Sequence, residues 1–200
     1  MKKKIILASG SPRRKELLEQ IGIPFEVVIS HVEEVRTKEE PSEIVLELAL
    51  QKAEAVLEQF PVKERAGIVV LGADTIVVKA GKILGKPRDE EEAVEMIRSL
   101  QGQCHRVYTG VVILETDESK GRKCSTHVEE TKVFVHTMTE DEISGYVATK
   151  EPLDKAGAYG IQGTFAAYID RIEGDFYNVV GLPVAYVYRR LREILEEKFL

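Results

Sequence analysis

Residues 4–18 read KIILASGSPRRKELL, and this stretch sets the fold class. Lys4 to Ala8 is a short β-branched and leucine run that ends in Ser and Gly, the pattern of a buried strand. Ser11 and Pro12 then open a helix to about Gln20, because Ser can cap free N–H groups and Pro has none to lose. Strand, turn and helix in that order predict an α/β protein. The first helical turn, however, is Arg13, Arg14 and Lys15. A helix N-terminus carries partial positive charge, so three cations there call for a negative group, and a bound phosphate is one. A capped surface helix with solvated arginines is the alternative.

The same grammar extends along the chain. Phe25 to Ile29 reads as a second strand, and Ser42 to Phe60 as a long helix with apolar residues at 44, 45, 48, 49, 53 and 56. GIVVLGADTIVV, residues 67–78, is two apolar runs with Gly72, Ala73, Asp74 and Thr75 between them, and KAGK after it reads as a hairpin turn in which Gly81 supplies a positive φ. Asp89 is placed to cap a helix to about Leu100. Residues 104–116 and 122–137 read as two long strands joined by the polar turn TDESKG. Thr139 with Glu142 forms a capping box for a helix to about Thr149. A glycine-rich stretch, DKAGAYGIQG, precedes a strand from Phe165 to Ile172 and a closing helix from Pro183 to Glu197. Helix crossovers mixed with hairpins predict a mixed β-sheet flanked by helices, as one domain over residues 1–200 with a cleft between two lobes.

Composition narrows the function. With 44% hydrophobic residues the chain can bury a real core, and a formal charge of -6 argues against general nucleic-acid or acidic-membrane binding. Cys104 and Cys124 form no C-x-x-C pair and no disulfide framework, which points to a reducing compartment. The apolar run in MKKKIILASGS is too short for a signal peptide and no stretch is long enough to span a bilayer, so a cytoplasmic location is expected.

Asp74 is the sole charge in VVLGADTIVV, and carboxylates are seldom buried unless they have a partner or a task. It could be a general base on water, a ligand for a phosphate-bound Mg²⁺, or a turn cap beside Gly72 and Thr75. GKP, residues 85–87, fixes Lys86 in a constrained loop, and DKAG sets Asp154 beside Lys155. Glu33 and Glu34 in HVEEVR could bind a metal or simply face water. Gln162 lies in YGIQG, where an amide could pair with the polar edge of a base. His31, His105, His127 and His136 lack zinc-ligand spacing, and neither a G-x-S-x-G elbow nor a P-loop occurs. Phosphate donors, an acidic position and an amide for a planar ligand together suggest a nucleotide hydrolase.

LASGSPRRKELL, GADTIVV with its following GKP, and DKAGAYGIQG through NVVGLP at residues 178–183 resemble the signature segments of the Maf family, in the family's order, from about residue 5 to residue 192. That resemblance implies a cytoplasmic nucleoside triphosphate pyrophosphatase that depends on Mg²⁺ or Mn²⁺, with a fold related to inosine triphosphate pyrophosphatases and a deep cleft between its two lobes. It implies that Asp74 is the proton acceptor and that Arg13, Thr75 and Gln162 set base preference. Arg, Thr and Gln at those places look like the dTTP and UTP branch, whereas the 7-methyl-guanosine triphosphate branch has SPW, SDQ and EG. Phosphate contacts are expected from Ser9, Ser11, Arg14, Lys52, Lys86 and Lys155, and Glu33 is expected to share the metal with Asp74. Lys52 also fits the face of a long helix. The one departure is Leu100-Gln101-Gly102, where the family has Leu-Ser-Gly. Expected partners are the nucleoside triphosphate and, as an open alternative to a monomer, a second copy of the chain; nucleic acid and membrane are not expected. The same chemistry on 7-methyl-GTP or another non-standard nucleotide is one alternative, and a regulatory role in cell division is the competing class, because members of the family have been linked to septum formation.

Overall fold

The structure, a computed structural model, describes residues 3–117 and 121–196. The middle of the TDESKG turn and the end of the closing helix at Glu197 lie outside the described residues. In chain order, β1 (Lys4–Leu7) leads into α1 (Pro12–Gln20), β2 (Glu26–Val27), α2 (Pro41–Glu58), β3 (Ile68–Lys79) and β4 (Lys82–Leu84). Then come α3 (Glu90–Leu100), β5 (Cys104–Asp117), β6 (Gly121–Val135), α4 (Glu140–Ala148), β7 (Ile169–Glu173), α5 (Phe176–Val180) and α6 (Val184–Leu195).

The strands form one seven-stranded sheet in the order β2-β1-β3-β5-β6-β7, with β4 paired to β3. It is mixed: β2 and β3 run parallel to β1, whereas β4 is antiparallel to β3 and β7 to β6. Helices α1 and α2 supply the parallel crossovers, as the strand, turn and helix grammar of the opening stretch requires. The chain divides into two compact units, one of Met1–Asp74, Thr109–Glu129 and Gly181–Leu200, the other of Thr75–Tyr108 and Glu130–Val180.

In the first unit, Ile6, Ala8, Val70 and Val112 pack against Ala49, Ala53 and Val56 of α2. The approach is close because two strands lack a Cβ beneath the helix. A Cβ on Gly72 would lie 2.3 Å from the Ala49 carbonyl oxygen, and one on Gly110 would lie 2.5 Å from that of Val45. Val45, Ala49 and Ala53 are spaced four apart and form one stripe along α2. In the second unit, Phe165 is fully buried, its ring centroid 5.0 Å from that of Tyr146 and 4.9 Å from that of Tyr159.

Local sequence signals are met where the structure is local. Asp89 accepts from the Glu92 amide, Thr139 and Glu142 complete their capping box, and Ala80 and Gly81 both take positive φ in the β3-β4 turn. Three expectations are corrected. Residues 67–78 are not two runs with a break but one strand, since Gly72 sits inside β3 to admit α2. Residues 164–168 wind as a 3₁₀ turn before β7, because that turn buries Phe165 and leaves the Thr164 amide bonded to Glu151. Ser11 holds the N-cap position of α1, but its side chain makes no capping bond; instead its own N–H donates to Ser9 Oγ at 3.2 Å.

Candidate active site

Alternation along β3 puts Gly72 and Asp74 on the same face of the sheet, and α2 packs on that face. Lys52, one residue before Ala53 of the packed stripe, therefore reaches the carboxylate: its Nζ lies 2.5 Å from Asp74 Oδ1. Asp74 is 9% exposed, and a carboxylate buried to that degree without a counter-charge would be costly. Lys52 is the partner that the sequence argument required. The same Nζ lies 3.1 Å from Oε1 of Glu34, so one ammonium is shared by two carboxylates. Of the two acidic residues in HVEEVR it is Glu34 whose carboxylate meets Lys52; both residues are exposed.

The turn after β1 builds a second part of the same unit. The half-buried Arg14 donates from Nε to the Gly181 carbonyl at 2.9 Å and from Nη1 to Ser9 Oγ at 3.1 Å. Ser9 Oγ also accepts the Ser11 amide, so both of its lone pairs are engaged and its O–H proton remains as a donor. Burial lowers the Arg14 pKa from its ordinary value, Asp74 and Glu34 oppose that shift, and Arg13 adds to it. A guanidinium stays protonated under such shifts, so Arg14 is a fixed cation within the field of the two carboxylates. Arg13 is half-buried, and its place one residue earlier on α1 turns it about 100° away from Arg14. The NVVGLP motif enters here through its Gly181 carbonyl, which orients the arginine.

The second unit holds the remaining candidates. Thr75 follows Asp74 on β3 and points to the opposite face. The exposed Lys86 lies after β4 in a loop whose Gly85 carbonyl accepts the Gly157 amide at 3.0 Å, which ties the GKP and DKAG motifs together. Lys155 donates to the Glu151 carbonyl and to Asp154 Oδ1, each at 2.6 Å. Gln162 is exposed on a turn closed by the Gly163 amide and the Gly160 carbonyl.

Glu151 organises that turn and was not singled out by sequence reasoning. Its carboxylate accepts the Thr164 amide at 3.0 Å, the Thr164 hydroxyl at 2.7 Å and the Tyr146 hydroxyl at 3.2 Å. Gly163 leaves room for this carboxylate, since a Cβ would lie 1.9 Å from Glu151 Oε1 and displace it. The only sequence signal was the glycine spacing itself, which announces a close approach without naming what approaches. Gln101, the departure from the family pattern, accepts the Met138 amide at 3.2 Å through its side-chain oxygen.

The donor set suits a hard divalent cation. Two carboxylates already share one positive charge at Lys52 Nζ, and Mg²⁺ takes one or two carboxylates, with waters and phosphate oxygens completing its shell. Among the described residues no group of three or more His, Cys, Asp or Glu side chains gathers for a metal. No helix among the described residues is long and apolar enough to cross a membrane.

Comparison with known proteins adds to this geometry. Residues 4–194 match the family model described as Maf-like protein. A dTTP/UTP pyrophosphatase of Bacillus cereus (strain ATCC 10987 / NRS 248) is 53% identical over 192 residues, which are 96% of this chain and 90% of that protein. One of Bacillus anthracis (strain CDC 684 / NRRL 3495) is 52% identical over 192 residues, 96% of this chain and 95% of its own. Among solved structures, a HAM1 protein from Coxiella burnetii aligns over 98% of this chain and 100% of its own at 17% identity and a TM-score of 0.45, a likeness too slight to add to the fold described above.

Proposed function

The chain belongs to the Maf family, and from that premise we propose that it hydrolyses dTTP and UTP to the nucleoside monophosphate and pyrophosphate. The observation that carries the reading is the pairing of Asp74 and Glu34 through Lys52, within the electrostatic reach of Arg14. That is an acidic centre for water and metal next to cationic and hydroxyl donors for phosphate. The naming of relatives at 53% identity supports the substrate class.

In this mechanism a water oxygen attacks the α-phosphorus, the bond from that phosphorus to the oxygen bridging the β-phosphate breaks, and pyrophosphate leaves. Asp74 takes the water's proton. Lys52, displaced from Asp74 as the substrate binds, moves to a phosphate oxygen, which frees the carboxylate for its task. Arg14 and the Ser9 O–H donate to phosphate oxygens from positions fixed before substrate arrives, the preorganised kind of electrostatic stabilisation that dominates phosphoryl transfer. Asp74 and Glu34 would hold Mg²⁺ or Mn²⁺, which when bound supplies positive charge against the triphosphate. Ser11, Lys86 and Lys155 keep the phosphate assignments, and Arg13, Thr75 and Gln162 the base-preference assignments, that the family resemblance implies. A cytoplasmic location belongs to the same proposal.

Replacing Asp74 by Asn keeps the shape and removes the base. A positioned general base contributes about 10²- to 10⁴-fold in rate, so kcat of Asp74→Asn should fall by at least about 10²-fold while the protein stays folded. Turnover near the parent value would take Asp74 out of its role.

A further inference from the structure

Residues 28–39, which follow β2, have no regular structure of their own and carry Glu34. Val32 and Val35 in this segment are exposed, so burial of these apolar side chains does not fix its position. Polar groups of α2 hold it. The Gln51 side chain donates from Nε2 to the Val35 carbonyl at 2.7 Å and accepts the Val35 amide at Oε1 at 3.0 Å, gripping both backbone groups of one residue. One helical turn earlier, Glu47 accepts the Thr37 amide at 2.9 Å and the Thr37 hydroxyl at 2.5 Å.

These contacts are in step with the candidate site. Gln51 and Lys52 are adjacent on α2, Val35 and Glu34 are adjacent on the segment, and Gln51 holds Val35 where Lys52 meets Glu34. The roughly 100° between consecutive helical residues lets Gln51 face the segment while Lys52 also reaches Asp74. A Glu side chain has three rotatable bonds and would not stay within 3.1 Å of Lys52 if its backbone wandered.

The geometry points to Gln51 as a positioning residue for the proposed hydrolysis: by gripping the Val35 backbone it fixes where Glu34 meets Lys52, and so how Lys52 is shared between Glu34 and Asp74. This rests on the pyrophosphatase reading, since Gln51 acts only through Glu34 and Lys52. A purely structural glutamine would lower stability, or lower activity without regard to Glu34.

The test is a cycle of Gln51→Leu, Glu34→Gln and the double variant, assayed for pyrophosphate release from UTP with Mg²⁺, together with hydrogen exchange on the metal-free proteins. Gln51→Leu should lower kcat by about 10-fold or more, as misplacement of a catalytic group does, and change KM by less than about threefold. In the Glu34→Gln background the same change should alter kcat by less than about twofold, because the charge pair it serves is already gone. The Val35 amide should exchange at least about 10-fold faster in Gln51→Leu while amides of β3 keep the parent rates. Parent-like kcat in Gln51→Leu, losses that multiply in the double variant, or unchanged protection of Val35 would each overturn the proposal. A parent that releases no pyrophosphate from UTP would overturn both this proposal and the functional reading, and is told apart because the baseline itself is missing.

Discussion

His105 lies on β5 with only 2% of its surface exposed, its Nε2 2.7 Å from the Tyr159 hydroxyl and its Nδ1 without a hydrogen-bond partner among the described residues. Burial, with a smaller contribution from Lys79, pushes its pKa down to about 4. An imidazole in the unfolded chain titrates near 6.5, so between those values the unfolded state binds a proton that the native state refuses. Stability is therefore lost as pH falls through this window, by about 2 kcal/mol between pH 7 and pH 5. Urea unfolding at the two pH values should show that loss in the parent, and His105→Gln should lack this part of it; identical pH dependence in both proteins would contradict the assignment. At this scale the sequence is an uneven guide. Asp74 is legible because a lone charge in an apolar run needs an explanation, but its partner Lys52 lies 22 positions away and is found only once α2 lies on β3. Glu33 and Glu34 are indistinguishable by composition, and only the path of an irregular segment brings Glu34 to Lys52.

At the scale of elements, the packing of α2 on β3 and β5 positions the candidate site, and it depends on missing Cβ atoms. Gly72→Ala would set a methyl 2.3 Å from the Ala49 carbonyl oxygen, where backbone on both sides must move. Its cost should be about 3 kcal/mol, the upper part of the range for overpacking an interior. Gly145 gives the opposite result: it lies in the middle of α4 with nothing within 4 Å of a Cβ, so Gly145→Ala should stabilise by about 0.5–1 kcal/mol. Denaturant midpoints for the two variants check both signs at once, and equal shifts would show that glycine spacing around α2 is not what the fold requires. Elements with local causes were legible: the Ser-Pro start of α1, the Ala80-Gly81 turn and the Thr139 capping box are each written within a few residues. The continuity of β3 and the 3₁₀ turn at Thr164–Tyr168 were not, because helix packing decides the first, and the burial of Phe165 and the Glu151 contact decide the second.

For the whole molecule, a net charge of -6 makes the cations of the site local exceptions, as suits one small anionic ligand better than a polyanion. The order β2-β1-β3-β5-β6-β7 gives the mixed sheet that hairpins and crossovers implied. Base preference is the property furthest from the fold. The Gln162 amide can accept from N3–H of uracil or thymine and donate to a carbonyl, yet turned over it would serve cytosine equally well. Under the base-preference role proposed for Arg13, a side chain that can only donate would disfavour the cytosine amino group, so Arg13→Ala should narrow the difference between UTP and CTP. The measurement that tests the central claim most directly is product analysis of the parent protein with UTP, dTTP and CTP in the presence of Mg²⁺. The account predicts monophosphate and pyrophosphate in equal amounts from UTP and dTTP, with CTP turned over much more slowly. Diphosphate and inorganic phosphate as products, equal rates with CTP, or no hydrolysis of UTP and dTTP would contradict it.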